Sequence, residues 1–165
     1  MTEQKKAQAN PRTPRHLARV FALLGLYQWF ADPTQDYASI EAHLSELLAD
    51  DADETKAVEL DESDFKHADQ KFFKELLSGV LDRHVEITEI VSKAIDRDLK
   101  RVSLVERCVI YIGTYELLAC PETPWRVVMN ESVELAKAFG SGNRYTNGVL
   151  HGVAKILRPA EVEEG

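Results

Sequence analysis

Arg15 and Arg19 stand four residues apart near the start of the chain, with Lys5, Lys6 and Arg12 upstream of them. On a helix that spacing puts both guanidinium groups on one face. Such a cluster suits contacts to phosphate oxygens and stacking of the planar guanidinium on bases. The plainer alternative is a solvated helix start, where positive charge is slightly unfavourable against the helix dipole. Tyr27 and Tyr145 carry rings that can stack on unpaired bases, a contact of about 1–3 kcal/mol per base. Read from its neighbours Leu26 and Trp29, Tyr27 belongs in the core. Tyr145 follows a glycine turn and Arg144, which favours exposure, and the pair would supply one phosphate contact and one stack. Glu106 either caps a helix or presents its carboxylate to a partner.

The charge distribution supports a confined basic site. Residues 1–30 hold five Lys or Arg against one Glu, whereas residues 31–98 hold seven basic and nineteen acidic residues. Residues 99–165 hold eight of each, and the whole chain carries −8. A local basic patch can still attract phosphate, because screening confines the interaction to roughly 8–10 Å at ordinary salt.

Enzymatic chemistry is not indicated. There is no P-loop, no dinucleotide glycine fingerprint and no HExxH. The Gly140-Ser141-Gly142 triplet reads as a helix stop, since no strand precedes it and no GKS or GKT follows. The five histidines (16, 43, 67, 84 and 151) are scattered, so no metal or other cofactor is assigned. Cys108 and Cys120 lack a CxxC spacing and read as free buried thiols in a reducing cytoplasm. Glu131 and Glu134 read as a solvated or partner-facing edge rather than paired catalytic acids. No run of 18 apolar residues offers a membrane span, and residues 1–14 lack the apolar stretch of a signal peptide.

The elements that must position these residues read as helices. Residues 1–13 show no periodicity and are expected to form a flexible basic arm. A helix is expected from about Pro14 to Ala31, through Leu17, Val20, Phe21 and Leu24, and a second over about 36–50. Asp50 to Glu62 is expected to be an acidic loop. Ser63 is the expected cap of a helix through Phe65, Phe72, Phe73, Leu76 and Val80, with the pattern through Val85 to Ile95 a possible continuation of it. Ser103 with Glu106 makes a capping-box pair. It opens a helix so evenly apolar that it should be the central buried one. Thr123-Pro124 predicts a helix start with proline at the first position, Gly140 its end, and Arg144 or Tyr145 the start of the last helix. The expectation is an all-α domain of six or seven helices over residues 14–160, with a flexible acidic tail at 161–165.

Several motifs together resemble one family. They are Val105-Glu106-Arg107, Tyr115-Glu116-Leu117, Asn130-Glu131, Glu134-Leu135-Ala136-Lys137, Phe139-Gly140, Asn147-Gly148-Val149-Leu150 and Arg158-Pro159, with Arg15, Ala18-Arg19 and Leu26-Tyr27 at the start. The chain resembles the NusB family of bacterial transcription antitermination factors from about Arg12 to Pro159. The resemblance implies two packed helical bundles and no catalysis. It implies binding to the boxA element of ribosomal RNA leader transcripts, as a heterodimer with NusE, a ribosomal small-subunit protein. That pair would help load the antitermination complex on RNA polymerase in the cytoplasm. By the same resemblance Arg12, Arg15, Arg19, Tyr27, Arg144 and Tyr145 face RNA and Glu106 faces NusE. Some members self-associate, so a homodimer is a further expectation. Two departures stand out: His16 and Leu17 replace part of the usual arginine run, and the segment from Gly140 to Asn147 is about two residues short, losing an acidic position. Two alternatives are a non-catalytic protein-interaction module and a relative of the N-terminal domain of ribosomal RNA cytosine methyltransferases.

Overall fold

The structure is a computed structural model that describes residues 13–49 and 60–164. The expected basic arm with Lys5, Lys6 and Arg12 and most of the expected acidic loop lie outside the described residues. Helix α1 (Pro14–Ala31) begins where the sequence places it. Thr13 Oγ accepts the His16 N–H at 3.1 Å. Pro14 fills the first helical position, where its missing N–H costs nothing. Helix α2 (Tyr37–Ala49) follows.

The helix expected from Ser63 is broken in two, α3 (Glu62–His67) and α4 (Gln70–Asp82). Ser63 is not the cap. Asp61 accepts the Asp64 N–H at 2.9 Å, and Asp64 accepts the Asp61 N–H at 3.1 Å. Asp69 then accepts the Phe72 N–H at 3.0 Å and starts α4. A carboxylate is at least as good a cap as a serine hydroxyl, so the aspartates decide the boundaries. Helix α5 (His84–Ala94) follows α4 across Arg83, and a 3₁₀ turn, Leu99–Arg101, leads to α6 (Leu104–Ala119). Ser103 Oγ accepts the Glu106 N–H at 3.2 Å, as the sequence pair suggests. Every residue of α6 from Cys108 to Leu117 is buried, which makes it the central helix.

Helix α7 (Trp125–Ala138) has Pro124 at its cap position and no side-chain cap from Thr123. The cap comes from far along the chain: Glu161 Oε2 accepts the Trp125 N–H at 2.8 Å. Glu161 lies on α9 (Pro159–Glu164), so the expected acidic tail is a helix up to residue 164. At the other end of α7, Gly140 takes φ +69°. Its N–H donates to Lys137 O at 2.9 Å and the Ser141 N–H to Ala136 O at 3.0 Å. These two bonds are the Schellman pattern, which favours glycine at that position. Helix α8 (Arg144–Leu157) then runs back.

Among the described residues there are nine α-helices and no strand. Two groups form, α1 to α4 and α5 to α9, and α6 packs against members of both. Close approach is built in at Gly113 of α6. A Cβ there would lie 2.8 Å from a Leu150 methyl of α8 and 3.0 Å from Ser132 Oγ of α7. A side chain at this point would force those helices apart.

Candidate nucleic-acid interface

Arg15 and Arg19 do share a face of α1, but only Arg15 is exposed. The Arg15 guanidinium lies 3.7 Å over the Phe72 ring of α4, a cation–π contact that holds it against that ring. One turn later the same face turns into the junction of α1 with α6 and α7. Arg19 is 4% exposed there, and Glu116 of α6 is 2% exposed. Arg19 Nε donates to Glu116 Oε2 at 2.8 Å and Nη2 donates to Oε1 at 2.9 Å. Its Nη1 lies 3.4 Å from Glu131 Oε1 on α7. Burial alone would lower the Arg19 pKa. The hydrogen bond and charge of Glu116, helped by Glu131, outweigh burial and hold it above its ordinary value. The expectation that Arg19 projects with Arg15 is therefore corrected: its donors are committed inside the fold. Glu131, expected at a solvated or partner-facing edge, is half-buried and part of this network.

Around Arg15 runs an open groove of about 760 Å³. Arg15 and Arg19 line it together with three carboxylates, Asp69, Glu122 and Glu131, and with Val127. With Arg19 already neutralised, this groove is acidic on balance.

A second open groove, of about 530 Å³, lies between the end of α5 and the start of α8. Its lining includes Arg97, Asp96, Arg144, Tyr145 and Gly148. Arg144 is exposed and Tyr145 half-buried, so the glycine turn exposes the arginine more than the ring. The Arg97 guanidinium lies 4.1 Å over the Tyr145 ring. The Tyr145 hydroxyl is buried and has no hydrogen-bond partner among the described residues. Burial pushes this hydroxyl's pKa up; Arg97 opposes the rise, while the Asp96 and Glu106 carboxylates add to it. The two basic residues on this groove face a single lining carboxylate, Asp96, which is 82% exposed and well hydrated.

Tyr27 lines neither groove. It is 43% exposed rather than packed in the core, the position its neighbours suggested. The packing positions around it are filled by Leu26 at 0% and Trp29 at 9% exposure. Helix α1 runs antiparallel to α6, since Arg19 meets Glu116 while Phe30 meets Tyr111 edge-to-face at 5.1 Å and Arg107 at 5.2 Å. Tyr27 is thus nearer to the Glu106 end of α6 than Arg15 is. About 18 Å of helix separates it from Arg15.

Among the described residues no group of three His, Cys, Asp or Glu side chains is placed to hold a metal ion, and no helix is long and apolar enough to cross a membrane. Cys108 and Cys120 are free and buried.

A model of the NusB family matches residues 16–155. The chain belongs to the NusB family. It is 43% identical over 157 residues to the transcription antitermination protein NusB of Dechloromonas aromatica, covering 94% of this chain and 86% of that protein. The protein of the same name from Thiobacillus denitrificans is 40% identical, covering 90% of this chain and 93% of that one. That of Bordetella pertussis is 40% identical, with 96% of each chain covered. The expected all-α class and family hold together.

Seen on the fold, much of the NusB-like pattern is structural. Glu116 of Tyr115-Glu116-Leu117 holds Arg19. Arg158 of Arg158-Pro159 donates to the carbonyls of Glu116 (3.2 Å), Leu117 (3.0 Å), Cys120 (2.9 Å) and Thr123 (2.7 Å). One guanidinium thereby gathers carbonyls at the end of α6 and in the turn to α7, where Glu116 O and Cys120 O also accept the Cys120 and Thr123 N–H groups. Val149 and Leu150 are core residues. Gly148 of the same motif is different: a Cβ there would meet nothing within 4 Å. Arg97 was not among the residues singled out from the sequence. It meets Tyr145 only because α5 ends beside the start of α8, and no local pattern announces that.

Proposed function

We propose that this chain is a non-enzymatic RNA-binding adaptor of transcription antitermination. In this reading it binds the boxA element of ribosomal RNA leader transcripts as a heterodimer with NusE. The pair helps load the antitermination complex on RNA polymerase. The observation that carries the reading is the Arg144–Tyr145 groove, which joins exposed positive charge to an aromatic surface in one open cleft. Single-stranded RNA is bound by that combination of backbone charge and stacking surface. Arg144 is assigned to a phosphate and Tyr145 to the stacking side of the cleft. Tyr27 offers a second exposed ring. Arg15, with Arg12 before it in the sequence, is assigned to a phosphate outside that cleft, and Arg19 serves it indirectly by fixing α1 on α6. Glu106, in the first turn of α6, is assigned to NusE.

The test is fluorescence anisotropy of a labelled boxA RNA against a scrambled one, with this protein alone and with NusE, at two salt concentrations. Preference for boxA that strengthens with NusE is expected. Equal, weak and salt-erased binding to both RNAs would overturn the boxA assignment and leave a protein-interaction module as the better reading. Light scattering on the same samples reports whether a homodimer competes with the NusE complex.

A further inference from the structure

We propose that Arg97 is a base-contacting residue of the Arg144–Tyr145 groove: its guanidinium, laid on the Tyr145 ring, presents its outer face to an unpaired nucleobase while Arg144 takes an adjoining phosphate. This rests on the reading of the chain as an RNA binder. The Arg97 guanidinium carbon sits 4.1 Å from the centre of the Tyr145 ring, within cation–π range. The contact restricts a side chain that is otherwise 45% exposed. Arg97 Nε lies 3.5 Å from Asp96, a loose contact between exposed groups that is worth little. The two Nη groups have no other partner among the described residues, so their donors remain available at the groove.

Tyr145 itself is fixed. Its ring packs against the hydrophobic core, and Arg97 covers one face of it. A base entering along that face meets the guanidinium before it meets the tyrosine. Tyr145 is then a positioning residue for Arg97 as much as a stacking surface. Guanidinium planes stack on bases and carry hydrogen-bond donors at their edges, so this layer can bind a base and retain its charge toward the backbone. Gly148 keeps the neighbouring floor open, since no atom lies within 4 Å of where its Cβ would be. The Arg15 groove lacks this combination, because three carboxylates line it and its inner arginine is already paired.

The experiment compares the full chain with Arg97→Ala, Arg97→Lys and Gly148→Leu. Each is titrated against a labelled single-stranded RNA of about 12 nucleotides across a salt series. Circular dichroism and melting temperature serve as checks of the fold. Arg97→Ala should weaken binding about tenfold and lower the salt slope by about 0.7. Arg97→Lys should recover the slope but not the affinity, because an ammonium has no plane to stack. Gly148→Leu should weaken binding by filling the cleft. Wild-type binding with an unaltered Arg97→Ala variant would overturn the role of Arg97 and leave the RNA reading standing. Full recovery by lysine would overturn the stacking part. No binding by the wild type at any salt would overturn the RNA reading and this inference with it.

Discussion

Arg19 of α1 and Glu116 of α6 form a buried two-point ion pair, with donor–acceptor distances of 2.8 and 2.9 Å. It ties the first helix of the chain to the central one, and Glu131 draws α7 into the same network. Removing one member strands the other charge in a dry site. Arg19→Ala should therefore lower stability by about 3–5 kcal/mol. Glu116→Ala should cost about as much. The double variant Arg19→Met with Glu116→Leu should be less damaged than either single change, because neither charge is left alone. Urea unfolding of the four proteins measures this. RNA binding by folded Arg19→Ala at low temperature should stay within about threefold of the wild type. A larger selective loss would make Arg19 a direct contact.

Glu161 offers a pH prediction. The Trp125 N–H bond, then the Arg158 partner, holds its carboxyl below the ordinary value of 4.5. The folded value is thus the lower one. Its stabilising effect is complete above the ordinary value and disappears as pH falls through the folded value. The start of α7 should loosen on acidification below about pH 4.5. Exchange of the Trp125 amide, read by NMR, should accelerate over that window. In Glu161→Gln the pH step should vanish. An unchanged step in that variant would assign it to another carboxylate.

The cysteines should be inert in the folded protein. Burial, then the Glu75 charge, pushes the Cys120 thiol up to about 12. Burial raises Cys108 as well. Thiolate is the reacting form, so neither should titrate with a disulfide reagent at pH 8. Both should react once the chain is unfolded in guanidinium. Rapid native labelling of Cys120 would show that the α6–α7 turn opens easily.

Tyr27 should separate stability from binding. At 43% exposure it contributes little packing, so Tyr27→Ala should change stability by less than about 0.5 kcal/mol. If it stacks on RNA, the same change should weaken binding about fivefold or more. Equal RNA affinity in Tyr27→Ala would remove it from the interface. Arg144→Ala makes a useful companion, since it should weaken all RNAs alike and reduce the salt slope.

Local patterns suffice where a single helix decides the outcome. Ser103 and Gly140 act through neighbours three to five residues away, so their signals survive in the linear chain. The evenly apolar run of α6 likewise announces a helix buried on all sides. Ser63 is not the cap because Asp61, paired with Asp64, starts α3 two residues earlier, and Asp69 starts α4 on the Phe72 amide. Thr123 misled because a carboxylate 36 residues away reaches the Trp125 amide first.

By itself, then, the sequence determined the helical class, the central helix, the family and the set of residues worth placing. Periodicity and capping are short-range, and a family pattern needs no geometry. Only the tertiary structure decided which of those residues face outward. Arg15 and Arg19 are indistinguishable by spacing, yet one lies on the surface and the other is locked to Glu116, because the face they share runs from solvent into a helix junction. Arg97 and Tyr145 meet by the same kind of long-range packing. Whether a charge is free or spent depends on what the rest of the fold brings against it, and that is a property of the assembled chain.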